Sequence, residues 1–122
     1  MNIETLRKLC SSMPGVTEDI KWGNDLVFSV GNKMFCVAGL HQSPASVSFK
    51  VTDEEFEECI THEGFIPAPY LARHKWVHID SLDRLNSKEW KKYAEGSYQL
   101  VFQKLPAKVK AEIQKGKVNS KK

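Results

Sequence analysis

A chain of 122 residues fits one domain and can bury a single core without disulfides or metal, and its three cysteines, Cys10, Cys36 and Cys59, each stand apart within apolar patterns, which is reduced usage and predicts a cytoplasmic protein. No basic stretch leads into an apolar segment, and no run approaches the roughly 18 apolar residues that span a bilayer, so the sequence argues against secretion and membrane insertion. The formal charge of +3 hints at nucleic acid until it is divided along the chain: Met1 to Gln103 holds 11 Lys and Arg against 14 Asp and Glu, whereas Lys104 to Lys122 holds 7 lysines against Glu112, so the body is mildly acidic and the surplus belongs to the tail.

After Asn2, a helix N-cap by type, Ile3, Leu6, Leu9 and Cys10 recur at helical spacing until Pro14-Gly15, predicting a helix over 3–12. Val16 to Trp22 extends, Gly23-Asn24-Asp25 turns, and Leu26, Phe28 and Val30 alternate, which makes a first strand pair. Gly31-Asn32 is a two-residue turn of types that tolerate positive φ, and Lys33 to Leu40 returns as a strand. The near-continuous apolar run Met34-Phe35-Cys36-Val37-Ala38 suggests a central position covered more fully than its neighbours. Following a turn at Gln42-Ser43-Pro44, Ser46 to Val51 alternates, with Val47, Phe49 and Val51 inward and Lys50 on an open sheet face.

Thr52 with Glu55 forms a capping box for a second helix that runs to about His62, and Gly64 ends it. Pro67 and Pro69 predict an irregular loop carrying Tyr70, Arg73 and His74. Lys75 to Asp80 reads as the last strand. Asn86 with Glu89 caps a C-terminal helix whose buried side is marked by Trp90, Ala94, Ser97, Val101 and Leu105. Pro106 interrupts that helix, although Val109 and Ile113 let a further turn or two pack beyond it. This order predicts an α+β two-layer sandwich: an antiparallel sheet of about five strands with helices packed on one face, in a single domain over 1–114, followed by a disordered basic tail over 115–122.

Taken in order, Pro14-Gly15, Lys21-Trp22-Gly23, Phe28, the hairpin from Val30 to Phe35, Ser48-Phe49-Lys50, Pro69-Tyr70-Leu71, Lys75-Trp76-Val77, Ser97-Tyr98 and Leu105-Pro106 resemble the MmcQ/YjbR family. The resemblance covers nearly the whole body and implies a frataxin-like (CyaY-like) fold. It implies little about activity, since that family is largely uncharacterised and its suggested DNA binding through wing-like β-hairpins rests on shape. The first helix here has Glu4 as its single carboxylate, which disfavours the iron role tied to an acidic first helix in the frataxin branch.

The residues themselves offer no catalytic constellation and imply no cofactor. His74 and His78 are four apart, but along a strand at ~3.3 Å per residue they stand too far apart to share an ion. Cys59 and His62 lack the second ligand pair that zinc requires. There is no phosphate-binding glycine loop and no nucleophile elbow. What remains is a set of cations interleaved with aromatic rings: Lys21, Trp22, Lys50, Tyr70, Arg73, His74, Lys75 and Trp76. Such a mixture suits phosphates and stacked bases. The same residues also read as rim packing and surface solvation, and because Lys75 and Trp76 are adjacent in a strand, one of them must point toward the helices. The expectation is a monomeric binding module, either for nucleic acid, weakly and without sequence preference, or for a small anionic ligand or a protein partner.

Overall fold

The computed structural model describes residues 2–40, 45–69 and 71–120, with 116–120 described by backbone alone. Helix α1 (Ile3–Ser11) begins where the Asn2 side chain accepts from the Thr5 N–H, as the sequence pattern requires. Strands β1 (Val16–Lys21), β2 (Asp25–Val30), β3 (Lys33–Gly39) and β4 (Ser46–Lys50) follow. Helix α2 (Asp53–Cys59) starts on the complete Thr52–Glu55 capping box. After β5 (Phe65–Pro67) and β6 (Trp76–Ile79) come α3 (Ser87–Phe102), on an Asn86–Glu89 box, and α4 (Ala107–Ser120). Every pairing is antiparallel and the order is β1-β2-β3-β4-β6-β5, an open six-stranded sheet with the helices on one face.

The sixth strand is β5, in the segment expected to be irregular because of its prolines. Pro67 is tolerated there because β5 lies at the sheet edge and Pro67 closes it, a position where the missing N–H breaks no inner ladder. The turn expected at Gln42-Ser43-Pro44 lies outside the described residues. Pro106 interrupts the C-terminal helix as expected, separating α3 from α4, which runs to Ser120. Among the described residues no helix is long and apolar enough to cross a membrane.

The core lies between sheet and helices. Leu6 and Cys10 of α1 and Trp90, Ala94 and Tyr98 of α3 meet Phe28, Cys36, Val47, Phe49, Val77 and Ile79 from the four inner strands. Phe49 is 1% exposed, and its ring stands 5.7 Å from Trp90 and 5.5 Å from Tyr93. The polar ends of the large aromatics are satisfied: Trp90 donates Nε1–H to the Leu82 carbonyl at 2.8 Å, and Tyr98 donates its hydroxyl to the Pro14 carbonyl at 2.6 Å. Leu9, Val37 and Val101, also expected inside, are half-buried. For Val37 the reason is the pleat, since it pairs with Val27 and Ser48 on the side away from the helices.

β3 holds the central place its apolar run predicted, and a local irregularity adds to that run. Phe28 pairs with Cys36 but Ser29 pairs with Met34, so Phe35 is the extra residue of a β-bulge, and both Phe35 and Cys36 turn into the core. The β3–β4 ladder ends at Cys36 and Phe49. Beyond it the Ser97 hydroxyl of α3 stands between the strands, accepting from the Lys50 N–H at 3.0 Å and donating to the Phe35 carbonyl. A helix side chain thus takes the place of the next rung of the sheet.

Two stability outcomes follow. Phe49→Ala empties a closed aromatic site and should lower the unfolding free energy by about 3–5 kcal/mol in urea melts. Ser97→Ala removes little volume but strands a buried donor and a buried acceptor together, and should cost about 1–3 kcal/mol for each group left unpaired, read from the same melts.

Candidate functional site

Where β3 and β4 part, a cavity of about 550 Å³ opens at the end of the sheet. Three regions build it. The β2–β3 hairpin contributes Gly31, Lys33 and Met34; the adjoining ends of β4 and β6 contribute Lys50 and Trp76, with His74 beside them; the junction of α3 and α4 contributes Leu100, Val101, Lys104, Leu105, Pro106 and Val109. This size lies in the range of small-molecule sites.

Local backbone chemistry explains why these pieces meet. Gly31 and Asn32 both have positive φ, 56° and 66°, giving the tight reversal that their types allow. A Cβ on Gly31 would stand 2.6 Å from a methyl of Leu105, so the hairpin needs glycine there for the turn and also for the approach of the α3–α4 junction. Lys50 and Trp76 are direct cross-strand partners on the side away from the helices. Trp76 is 4% exposed, so it is a wall of the cavity and presents little free surface for stacking.

Lys33 and Lys104 are exposed, whereas Lys50 is half-buried. The Lys50 ammonium donates to the His74 carbonyl, which ties the strand to a 3₁₀ turn over Ala72–His74. Burial pushes the Lys50 pKa below its ordinary value, the nearby charge of Lys104 adds to that, and Asp53 opposes it. No carboxylate lies within salt-bridge distance of these three lysines among the described residues. An open, largely apolar concavity with three cationic groups that lack a salt-bridge partner among the described residues can receive an anion with a hydrophobic body.

The cation and aromatic set read from the sequence divides. Lys50, His74 and Trp76 come together in the cavity. Lys75 does not join them: with φ 63° it turns to the helix side, and its Nζ lies 4.9 Å from the centre of the Phe56 ring. Arg73 is exposed on the 3₁₀ turn outside the cavity lining. Lys21 and Trp22 lie on the β1–β2 hairpin, at the opposite end of β2 from the β2–β3 hairpin that borders the cavity. Trp22 is 71% exposed there, in left-handed backbone at φ 52°. Tyr70 lies outside the described residues. Sequence reasoning missed Lys33 and Lys104, together with the apolar walls Met34, Leu100 and Leu105. The available signal was slight: each of these two lysines abuts a chain reversal, Gly31-Asn32 or Leu105-Pro106.

Elsewhere, two arginines pair with carboxylates. Arg7 bridges Glu4 at 2.9 Å and Glu18 at 2.5 Å, and its hydrogen bonds hold the Glu18 carboxyl below its usual range. Arg84 does the same for Asp80. On the open face Ser48 Oγ and His78 Nδ1 are 2.9 Å apart, and burial pushes the imidazole pKa down. Cys59 donates to the Tyr93 hydroxyl, and no cluster of three or more His, Cys, Asp or Glu able to hold a metal occurs among the described residues.

Solved structures with the same architecture include the following two. The Deinococcus radiodurans protein DR2400, described as a DUF419 domain, superposes with a TM-score of 0.83 at 25% identity, covering 93% of this chain and 88% of that one. A Pseudomonas syringae protein gives a TM-score of 0.67 at 20% identity over 83% of this chain and 99% of its own, a likeness of fold alone. No curated protein matches the chain. The frataxin-like description rests on the sequence resemblance alone. The YjbR family model, by contrast, matches residues 11–100, from the end of α1 through most of α3, and the chain belongs to the YjbR family.

Proposed function

We propose that this protein binds a small amphipathic anion in the cavity between the β2–β3 hairpin, the β4 and β6 ends and the α3–α4 junction. The observation that carries this reading is the pairing of Lys33, Lys50 and Lys104 with apolar walls in one concavity. An anionic head would be held by charge-assisted hydrogen bonds, and an aromatic or branched body would contact Met34, Leu100 and Leu105. The nucleic-acid reading needs Lys21, Lys50, Arg73 and Lys75 to meet one duplex. Lys75 instead covers Phe56, Lys50 is tied to the His74 carbonyl, and Lys21 stands at the far end of β2, so four phosphate contacts have no common surface.

The probe 1-naphthoate, titrated into isotope-labelled protein, should give saturable amide shifts at Met34, Leu100 and Leu105 and at the Trp76 indole. Lys50→Ala and Lys104→Ala should each weaken binding about tenfold or more, the loss of one charge-assisted contact. Absence of saturable shifts at roughly millimolar probe, where even a weak single site fills, would overturn the proposal. Duplex DNA binding that survives both substitutions and falls with Arg73→Ala would return the nucleic-acid reading to the front.

A further inference from the structure

We propose that Lys50 is a carbonyl-condensing amine, forming an imine with an aldehyde or ketone group carried by an anionic ligand in the cavity while Lys104 and Lys33 hold the ligand's acid group. The inference rests on the cavity being the ligand site argued above, and it adds the chemistry performed there.

Four observations converge on this one side chain. Lys50 is the half-buried member of the three cavity lysines, with Lys33 and Lys104 exposed at the rim. Its Nζ donates to the backbone carbonyl of His74, an acceptor that a neutral amine satisfies with one N–H while keeping its lone pair for attack. No carboxylate pairs with it to hold the ammonium form, since the salt bridges of the described residues involve Arg7 and Arg84. Finally, a second cation, Lys104, shares the cavity and acts on Lys50 through its charge. Partial burial and the charge of Lys104 both favour the neutral amine, with Asp53 opposing them, and desolvation beside another cation is a general way in which a lysine amine is activated.

The bond changes balance without any oxidant or reductant. The Lys50 amine lone pair forms a C–N bond to the ligand's carbonyl carbon, and the carbonyl π pair moves to oxygen, which takes up a proton. Loss of the second amine hydrogen and departure of that oxygen as water leave a C=N bond. Lys104 and Lys33 touch the acid group and take no part in bond making; they are positioning residues for the ligand.

The test uses 4-formylbenzoate with borohydride reduction, which converts an imine to a stable amine, followed by intact-mass and peptide mass spectrometry of the full chain. The expected result is one adduct per chain, at Lys50, abolished by Lys50→Arg and formed about tenfold more slowly in Lys104→Met, the effect of losing one contact to the acid group. Prior addition of 4-(hydroxymethyl)benzoate, which has the acid group and ring without the carbonyl, should protect Lys50. Labelling spread over the exposed lysines and unchanged in Lys50→Arg would overturn the proposal. If 4-(hydroxymethyl)benzoate gives saturable shifts at Met34 and Leu105 while no Lys50 adduct forms, the imine inference fails and anion binding stands. If it gives no shifts and no Lys50 adduct forms, both fail.

Discussion

One hydroxyl sets the geometry of this protein's distinctive end. Ser97 Oγ accepts a hydrogen bond from the Lys50 N–H and donates its O–H to the Phe35 carbonyl, so the β3–β4 ladder stops at Cys36 and Phe49 and a helix side chain closes the gap. A continued ladder would bring β4 against β3 and leave no space at the sheet end. The Phe35 carbonyl is buried and the Lys50 N–H partly so, where an unpaired donor or acceptor is costly, so the parted strands persist because the serine satisfies them.

The bulge at Phe35 is the other half of the arrangement. It directs two successive side chains into the core, where Phe35 stands edge-on to Tyr98 at 5.6 Å. Tyr98 in turn reaches the Pro14 carbonyl, joining α3 to the segment between α1 and β1. The same helix therefore positions the first turn of the chain, the strand separation and, through Leu100, Val101 and its junction with α4, one wall of the cavity. The cavity's shape is thus tied to core packing, as the proposed binding of a small ligand requires.

The two paired arginines lie away from this end of the molecule. Arg7 and Arg84 are neutralised by neighbouring carboxylates, and the acids of α2 flank its N-terminus, where they favour the helix dipole. The cavity lysines have no such partners. On a body that is mildly acidic overall, the three of them concentrate positive charge where apolar walls also exclude water, and an anion bound there is attracted more strongly than at an open surface.

The sequence by itself determined the element order, the two capping boxes, the Gly31-Asn32 turn and the inward face of β4, because each depends on residues within a few positions of one another: a cap on the side chain three places away, a turn on φ, a strand face on alternation. It also showed that Lys75 and Trp76 must diverge. Tertiary structure decided the rest. Pro67 ends an edge strand because β5 happens to lie outermost, a fact of sheet order with no local signature. The run Met34 to Ala38 read as a central strand, which β3 is, but the bulge that turns Phe35 and Cys36 together into the core had no local signature, since bulges depend on the partner strand's register. Residues 33, 50, 76 and 104 share a cavity only because the sheet order and the Ser97 bridge bring four distant segments to one place. Lys21 and Trp22 look like members of the same cation and aromatic set on paper, yet a strand length separates them from it. Residue type shows what a side chain can do, but which side chains act together is fixed by contacts that sequence spacing does not contain.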